Sequence, residues 1–166
     1  GLTPHAFLVE LRLRRGRLRL ASGAAEGAER DFLAAVRVVE RQRSAVDRES
    51  LRISFFDTVR DLYDEVVHFE AVRRGRGDVA LEFAERARAR TLLDRLATDP
   101  DDSNPSVVPL GPQQIREAIP PSTALLYYYA LPDRLLEWTI TPGSIVLVER
   151  PVSREELAGL VADFRS

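Results

Sequence analysis

Cysteine, methionine and lysine are all missing from this 166-residue chain. Without cysteine it contains no disulfide, no thiolate metal site and no cysteine nucleophile. With no lysine, the whole basic complement of 24 residues is arginine, set against 26 acids. Arg, Ala, Gly and Pro share GC-rich codons, so the lysine deficit is read as genome composition rather than chemistry. The lack of methionine even at position 1 marks the chain as an expected fragment of a longer protein. Long apolar runs are lacking too. None approaches the ~20 residues that span a bilayer, and Ala6–Val9 is too short for the core of a signal peptide. A net charge of −2 provides no general attraction to nucleic acid or anionic lipid. The expectation is a cytoplasmic protein with no cofactor, no metal and no nucleic-acid or membrane partner.

Proline is scarce in only one half. Nine of the ten prolines lie at or after Pro100. Because proline removes a backbone donor and clashes with the preceding helical turn, this split separates two architectures. Charge follows it: residues 1–96 carry 19 Arg and 16 acids, residues 97–166 carry 5 and 10. The expected domains are a helical-repeat module over 1–97, an acidic linker over 98–111 and an α/β portion over 112–166.

In the first half, Leu8, Leu11 and Leu18 suggest one face of a helix between Pro4 and Gly23. Ala28, Phe32, Ala35, Val36 and Val39 give a 3.6-residue stripe. Phe55, Val59, Leu62, Val66 and Phe69 step along one face of a third helix, and Phe56, Tyr63 and Val67 make a second stripe, so cover on two sides is expected. Gly75 and Gly77 end it, Asp78 is placed to cap the next helix, and Ala80, Ala84 and Ala87 line that fourth helix over 79–96. In the second half, Pro112 opens a short helix. Residues 124–131 form an almost continuous apolar strand. Leu136, Trp138 and Ile140 alternate with polar residues as a half-buried strand should. Pro142–Gly143 suits a type II turn, a third strand covers 145–149, and Ser153 with Glu156 forms a capping box for a last helix. The fold class expected is α+β by content: an antiparallel array of about four helices, then a partial α/β unit of a three-stranded meander plus a helix. A strand as apolar as LLYYYAL expects cover on both faces, and the missing cover is expected beyond Ser166.

Motifs for chemistry are few. Gly75-x-Gly77-x-x-Ala80 has the spacing of a dinucleotide-binding turn, but a helix rather than a strand precedes it, which points to a helix–helix turn. Arg76-Gly77-Asp78 spells an adhesion tripeptide and is taken as chance. His5 and His68 have no ligand-spaced partner, and no serine sits in a nucleophile elbow. Arg12, Arg14, Arg15, Arg17 and Arg19 form the only dense basic run. It lacks interleaved aromatics, and Glu10, Glu26 and Glu29 are near enough to neutralise part of it. No active site is expected within the chain.

At Gly16, Gly23, Ala28, Phe32 and Ala35 the first helix pair resembles a tetratricopeptide repeat, with Ala28-x-x-x-Phe32 matching its A-x-x-x-F element. Arg12, Arg15 and Arg19 depart from it, standing where the repeat prefers Trp, Leu and Tyr. Ala84 replaces the Phe in the second pair. Residues 80–97, 119–153 and 154–165 are similar to bacterial proteins that join such repeats to a CHAT domain, a caspase- and separase-like cysteine peptidase fold. In that family the catalytic His and Cys come later, so no catalytic residue carries over. The resemblance implies a non-catalytic interaction module coupled to a peptidase domain beyond this chain. A protein or peptide partner would dock on the repeat surface, with Arg17, Glu65, Phe69 and Arg73 as its candidate contacts, and a homodimer through residues 122–149 is expected from unpaired strand edges. The alternative is a helical adaptor with no link to an enzyme, in which residues 120–166 cap the array and Leu125–Leu131 is well covered.

Overall fold

A computed structural model describes residues 4–42, 53–96 and 108–165. The molecule is α+β, with helices followed by a small antiparallel sheet and a last helix. By contacts the chain divides into Gly1–Phe69 and Glu70–Ser166. That division falls within residues 1–97, which the proline distribution marks as one module. The expected linker lies largely outside the described residues.

In the first unit, α1 spans Pro4–Ala21, α2 Ala25–Gln42 and α3 Ile53–His68. Gly23 takes a left-handed φ of 81°, and the Ala24 N–H donates to Arg19 O at 2.8 Å, so α1 stops in one turn. The chain reverses into α2, and the two helices pack antiparallel. The buried face of α1 is Ala6, Val9, Leu13 and Gly16. This corrects the expected face: Leu11 and Leu18 are exposed by 46% and 71%. Small residues decide the matter, because only a face carrying Gly16 admits the buried Phe32 ring against the helix backbone. A Cβ on Gly16 would stand 2.7 Å from Phe32 Cδ1. On α2 the predicted stripe of Ala28, Phe32, Ala35, Val36 and Val39 is buried throughout. On α3, Val59, Leu62 and Val66 are buried, as are Tyr63 and Val67 of the second stripe. The side chains of Phe55 and Phe56 lie outside the described residues. Phe69 meets Phe32 edge to face, with centroids 5.9 Å apart.

A π-helical turn, Phe69–Arg73, begins on the last residue of the first unit and leads within the second to Gly75 at φ 64° and then to α4, Gly77–Leu96. Asp78 sits in the first turn of α4 rather than at its cap. The glycine-containing turn is held by buried Glu70, whose carboxylate accepts from Arg76 at 2.7 Å while its carbonyl accepts the Arg76 N–H at 2.8 Å. A helix, not a strand, feeds these glycines. Gly77 serves packing: a Cβ there would stand 3.1 Å from Leu147 Cβ, and the Trp138 indole N–H donates to Gly77 O at 2.8 Å. After α5, Pro112–Ala118, the strands β1 Leu125–Ala130, β2 Leu135–Ile140 and β3 Ile145–Arg150 form a meander in the order β1-β2-β3, and α6 spans Arg154–Arg165. Tyr127 stands opposite Trp138, and Trp138 opposite Leu147.

Strand alternation gives the sheet an inner and an outer face. The inner face holds Leu136, Trp138 and Ile140, all fully buried, and Tyr127 at 3% exposure. Its outer face shows Leu126, Tyr128 and Val146, each about half exposed. LLYYYAL is therefore covered on one face, not both. The β2–β3 turn also departs from expectation. Gly143 has no positive φ, so a type II turn is not formed. Instead the Thr141 N–H donates to Ser144 O and the Thr141 hydroxyl accepts the Ser144 N–H, closing the turn without a left-handed residue.

Candidate interaction surface

β1 is an edge strand, and one side of its backbone faces away from the sheet. The Leu131 N–H donates to Arg134 O at 2.8 Å across the β1–β2 turn. From that closed pair the antiparallel alternation runs back along the strand. Leu125, Tyr127 and Tyr129 bond to β2, while Leu126, Tyr128 and Ala130 turn their N–H and C=O outward. The Ala130 carbonyl is taken: the Arg154 guanidinium donates to it at 2.6 Å and 3.1 Å. Among the described residues, no group bonds the outward backbone of Leu126 or Tyr128. No charge or proline interrupts residues 124–131, so the usual protections of a free edge are missing. Beneath the strand, Tyr127 is packed edge-on to Trp138 at 5.8 Å, with the Arg88 guanidinium 4.3 Å over its ring. Burial, with Glu85 nearby, pushes the Tyr127 hydroxyl above its ordinary pKa against the opposing pull of Arg88. It stays a neutral packing group. At the other end, Ser153 and Glu156 form the predicted reciprocal cap of α6, at 3.1 Å and 2.7 Å. The backbone N–H and hydroxyl of Ser153 hold the Glu156 carboxyl below its usual pKa. The apolar stripe that α6 starts from this cap is uncovered, with Leu160 62% and Phe164 92% exposed.

The second unit also has an open cleft of about 1240 Å³ between the start of α4, α5 and β3. Asp78, Glu82, Glu117 and Glu149 line it, with Arg116 as its basic residue. Glu82 is paired with Arg86, Glu149 with Arg134, and Arg116 donates to Pro142 O. The cleft carries no histidine or hydroxyl nucleophile, and no group of three metal-ligating side chains occurs among the described residues. No described helix is long and apolar enough to cross a membrane.

In the first unit Arg14, Arg15, Arg17 and Arg19 of the basic run of α1 are engaged in pairs within the chain. Asp31, 2% exposed, accepts bidentate hydrogen bonds from Arg15 and a further one from Arg19 at 2.7 Å. The Arg15 hydrogen bonds hold the Asp31 carboxyl below its ordinary pKa, with help from the charges of Arg19 and Arg12 and against the effect of burial. Arg14 pairs with Glu10 at 2.6 Å. Sequence pattern overlooked Asp31, although a signal was present. It lies three residues after Ala28 and four before Ala35, a core position of the α2 stripe, where a carboxylate needs a cation. Of the three arginines that depart from the tetratricopeptide resemblance, Arg15 and Arg19 are the ones that answer it with hydrogen bonds.

The four candidate contacts are distributed unequally. Arg17 donates to Glu65 at 2.7 Å and lies 3.9 Å from Asp61, bridging α1 to α3. Phe69 is 1% exposed and packs inside, so it presents no contact surface of its own. Arg73 is exposed in the π-helical turn of the second unit. No protein family, curated protein or solved structure matches this chain.

Proposed function

We propose that this chain is a non-catalytic protein-interaction module of a bacterial, cytoplasmic tetratricopeptide-repeat–CHAT protein, which receives a protein or peptide partner and couples that event to a caspase-like cysteine peptidase domain. The observation that carries this reading is the bare outer face of the meander. Its inner face is filled around Trp138, while Leu126, Tyr128 and Val146 stand open outside it and α6 offers a second apolar stripe. Apolar surface arranged in this way calls for another protein layer. In the helical half, a glycine under a phenylalanine ring gives the close crossing that helical repeats use. The Arg17–Glu65 bridge sets α1 beside α3, the first helices of the two pairs, where repeat arrays dock extended segments. Peptidase chemistry lies outside this chain on this reading. The exposure of Leu125, Leu126 and Tyr128 does not favour the alternative of a self-contained helical adaptor.

Two linked observations test the proposal. The parent gene is read past Ser166 for a continuing α/β segment bearing His and Cys. That segment is then added to the purified chain carrying Val146→Cys labelled with a polarity-sensitive dye, the only thiol in the molecule. A blue shift is expected as the outer face is covered. A gene without such a segment, or a segment that leaves the dye in water, overturns it.

A further inference from the structure

We infer that β1 is the interface through which two copies of this chain associate, antiparallel about a two-fold axis at Tyr127. The free edge has two outward-bonding residues, Leu126 and Tyr128, separated by one. Arg154 occupies the third position by holding the Ala130 carbonyl. In an antiparallel pair, two residues facing each other exchange both of their N–H···O bonds. A two-fold register centred on Tyr127 sets Leu126 of one copy opposite Tyr128 of the other, twice. Four hydrogen bonds result, and they satisfy the outward N–H and C=O of Leu126 and Tyr128 in both copies. A register shifted by two residues toward Ala130 would oppose Leu126 to Ala130, whose carbonyl Arg154 already occupies.

Side chains agree with the same axis. Leu126 and Tyr128 share the outer face, are 51% and 49% exposed, and form two aliphatic–aromatic cross-strand pairs in this register. The strand carries no charge, so like charges do not meet at the axis. Joining the edges also continues the bare outer face across both copies, making a six-stranded sheet. An isologous contact of this kind closes on itself and stops at two. The other edge strand, β3, ends in Glu149 and Arg150, which pair with Arg134 and Glu137. It lacks the uncharged, self-matching stretch.

The test is light scattering on serial dilutions of the intact chain together with Leu126→Glu and Tyr128→Lys. The wild-type chain is expected to dimerise. Each single variant sets a charge against an apolar partner and should weaken the dimer by about tenfold or more. Mixed in equal amounts, the two variants bring the introduced carboxylate opposite the introduced ammonium. The second cross-strand pair, Leu126 with Tyr128, stays as in the wild type, so heterodimer should recover to near wild-type strength. Both positions are half exposed in the single chain, and unchanged Trp138 emission confirms that the variants fold. A wild-type chain that stays monomeric at every concentration overturns the proposal, and so does a dimer equally strong in both variants or a mixture that fails to recover. If a variant does not fold, amide exchange in the wild-type chain decides instead. Protection at Leu126 and Tyr128 that rises with concentration supports the interface, and protection that does not change overturns it.

Discussion

Single residues show how close helix packing and a buried carboxylate are arranged in the first unit. The missing Cβ of Gly16 is the space that Phe32 fills. Arg15 and Arg19 find their partner because α2 supplies Asp31 in the same layer. Removing that one carboxylate would leave guanidinium groups without their partner. The pH dependence follows in sign. The folded pKa of Asp31 is depressed, so its contribution is fully present above the ordinary aspartate value of 3.8 and is lost as pH falls through the lower folded value. Urea unfolding of the wild type and of Asp31→Asn at a series of pH values should show a gap that is constant near neutrality and closes in acid. A gap independent of pH down to the acid transition would contradict the assignment.

Elements with strong periodicity were legible, and those whose packing depends on size were not. The two stripes of α3 stand in the sequence, and their described members from Val59 to Phe69 are buried in the fold, because large apolar side chains at 3.6-residue spacing leave a helix little choice. The meander was legible for a similar reason: alternation along β2, a proline at each turn and a capping box before α6 all mark boundaries. The face of α1 was not. Leu8, Leu11 and Leu18 look like a core, yet close approach of two helices favours Ala6, Val9, Leu13 and Gly16, and hydrophobicity does not report closeness. The Pro142–Gly143 turn was misread because hydroxyl bonds between Thr141 and Ser144 made a left-handed glycine unnecessary. At the third helix the expectation is quantitative. Leu62 is 0% exposed, so Leu62→Ala should cost about 2–5 kcal/mol in chemical denaturation. A change below about half a kcal/mol, the scale of an ordinary surface substitution, would remove it from the core.

At the scale of the molecule, α4 is the element whose place the sequence concealed. Its composition groups it with the helices, while Gly77 accepts from Trp138, and Arg88 covers Tyr127. Nothing in a run of Ala, Arg and Glu announces that a sheet depends on it. Residues 70–166 expressed alone should therefore keep Trp138 shielded from iodide. Residues 98–166, cut at the proline boundary, should expose it, and equal shielding in the two fragments would contradict this dependence.

The open edge of β1 was foreshadowed by an uncharged strand in a sheet with few covering helices, but which residues it leaves open became visible only from the pairing register and the Arg154 anchor. Residue-resolved amide exchange in dilute solution, with the chain alone, tests that edge most directly. Leu126 and Tyr128 should exchange fast while Tyr127 and Tyr129, bonded to β2, exchange slowly, and the fast pair should become protected as concentration rises. Uniform slow exchange along residues 125–130 at the lowest concentration would mean that the edge is already closed within one chain, and would contradict the account.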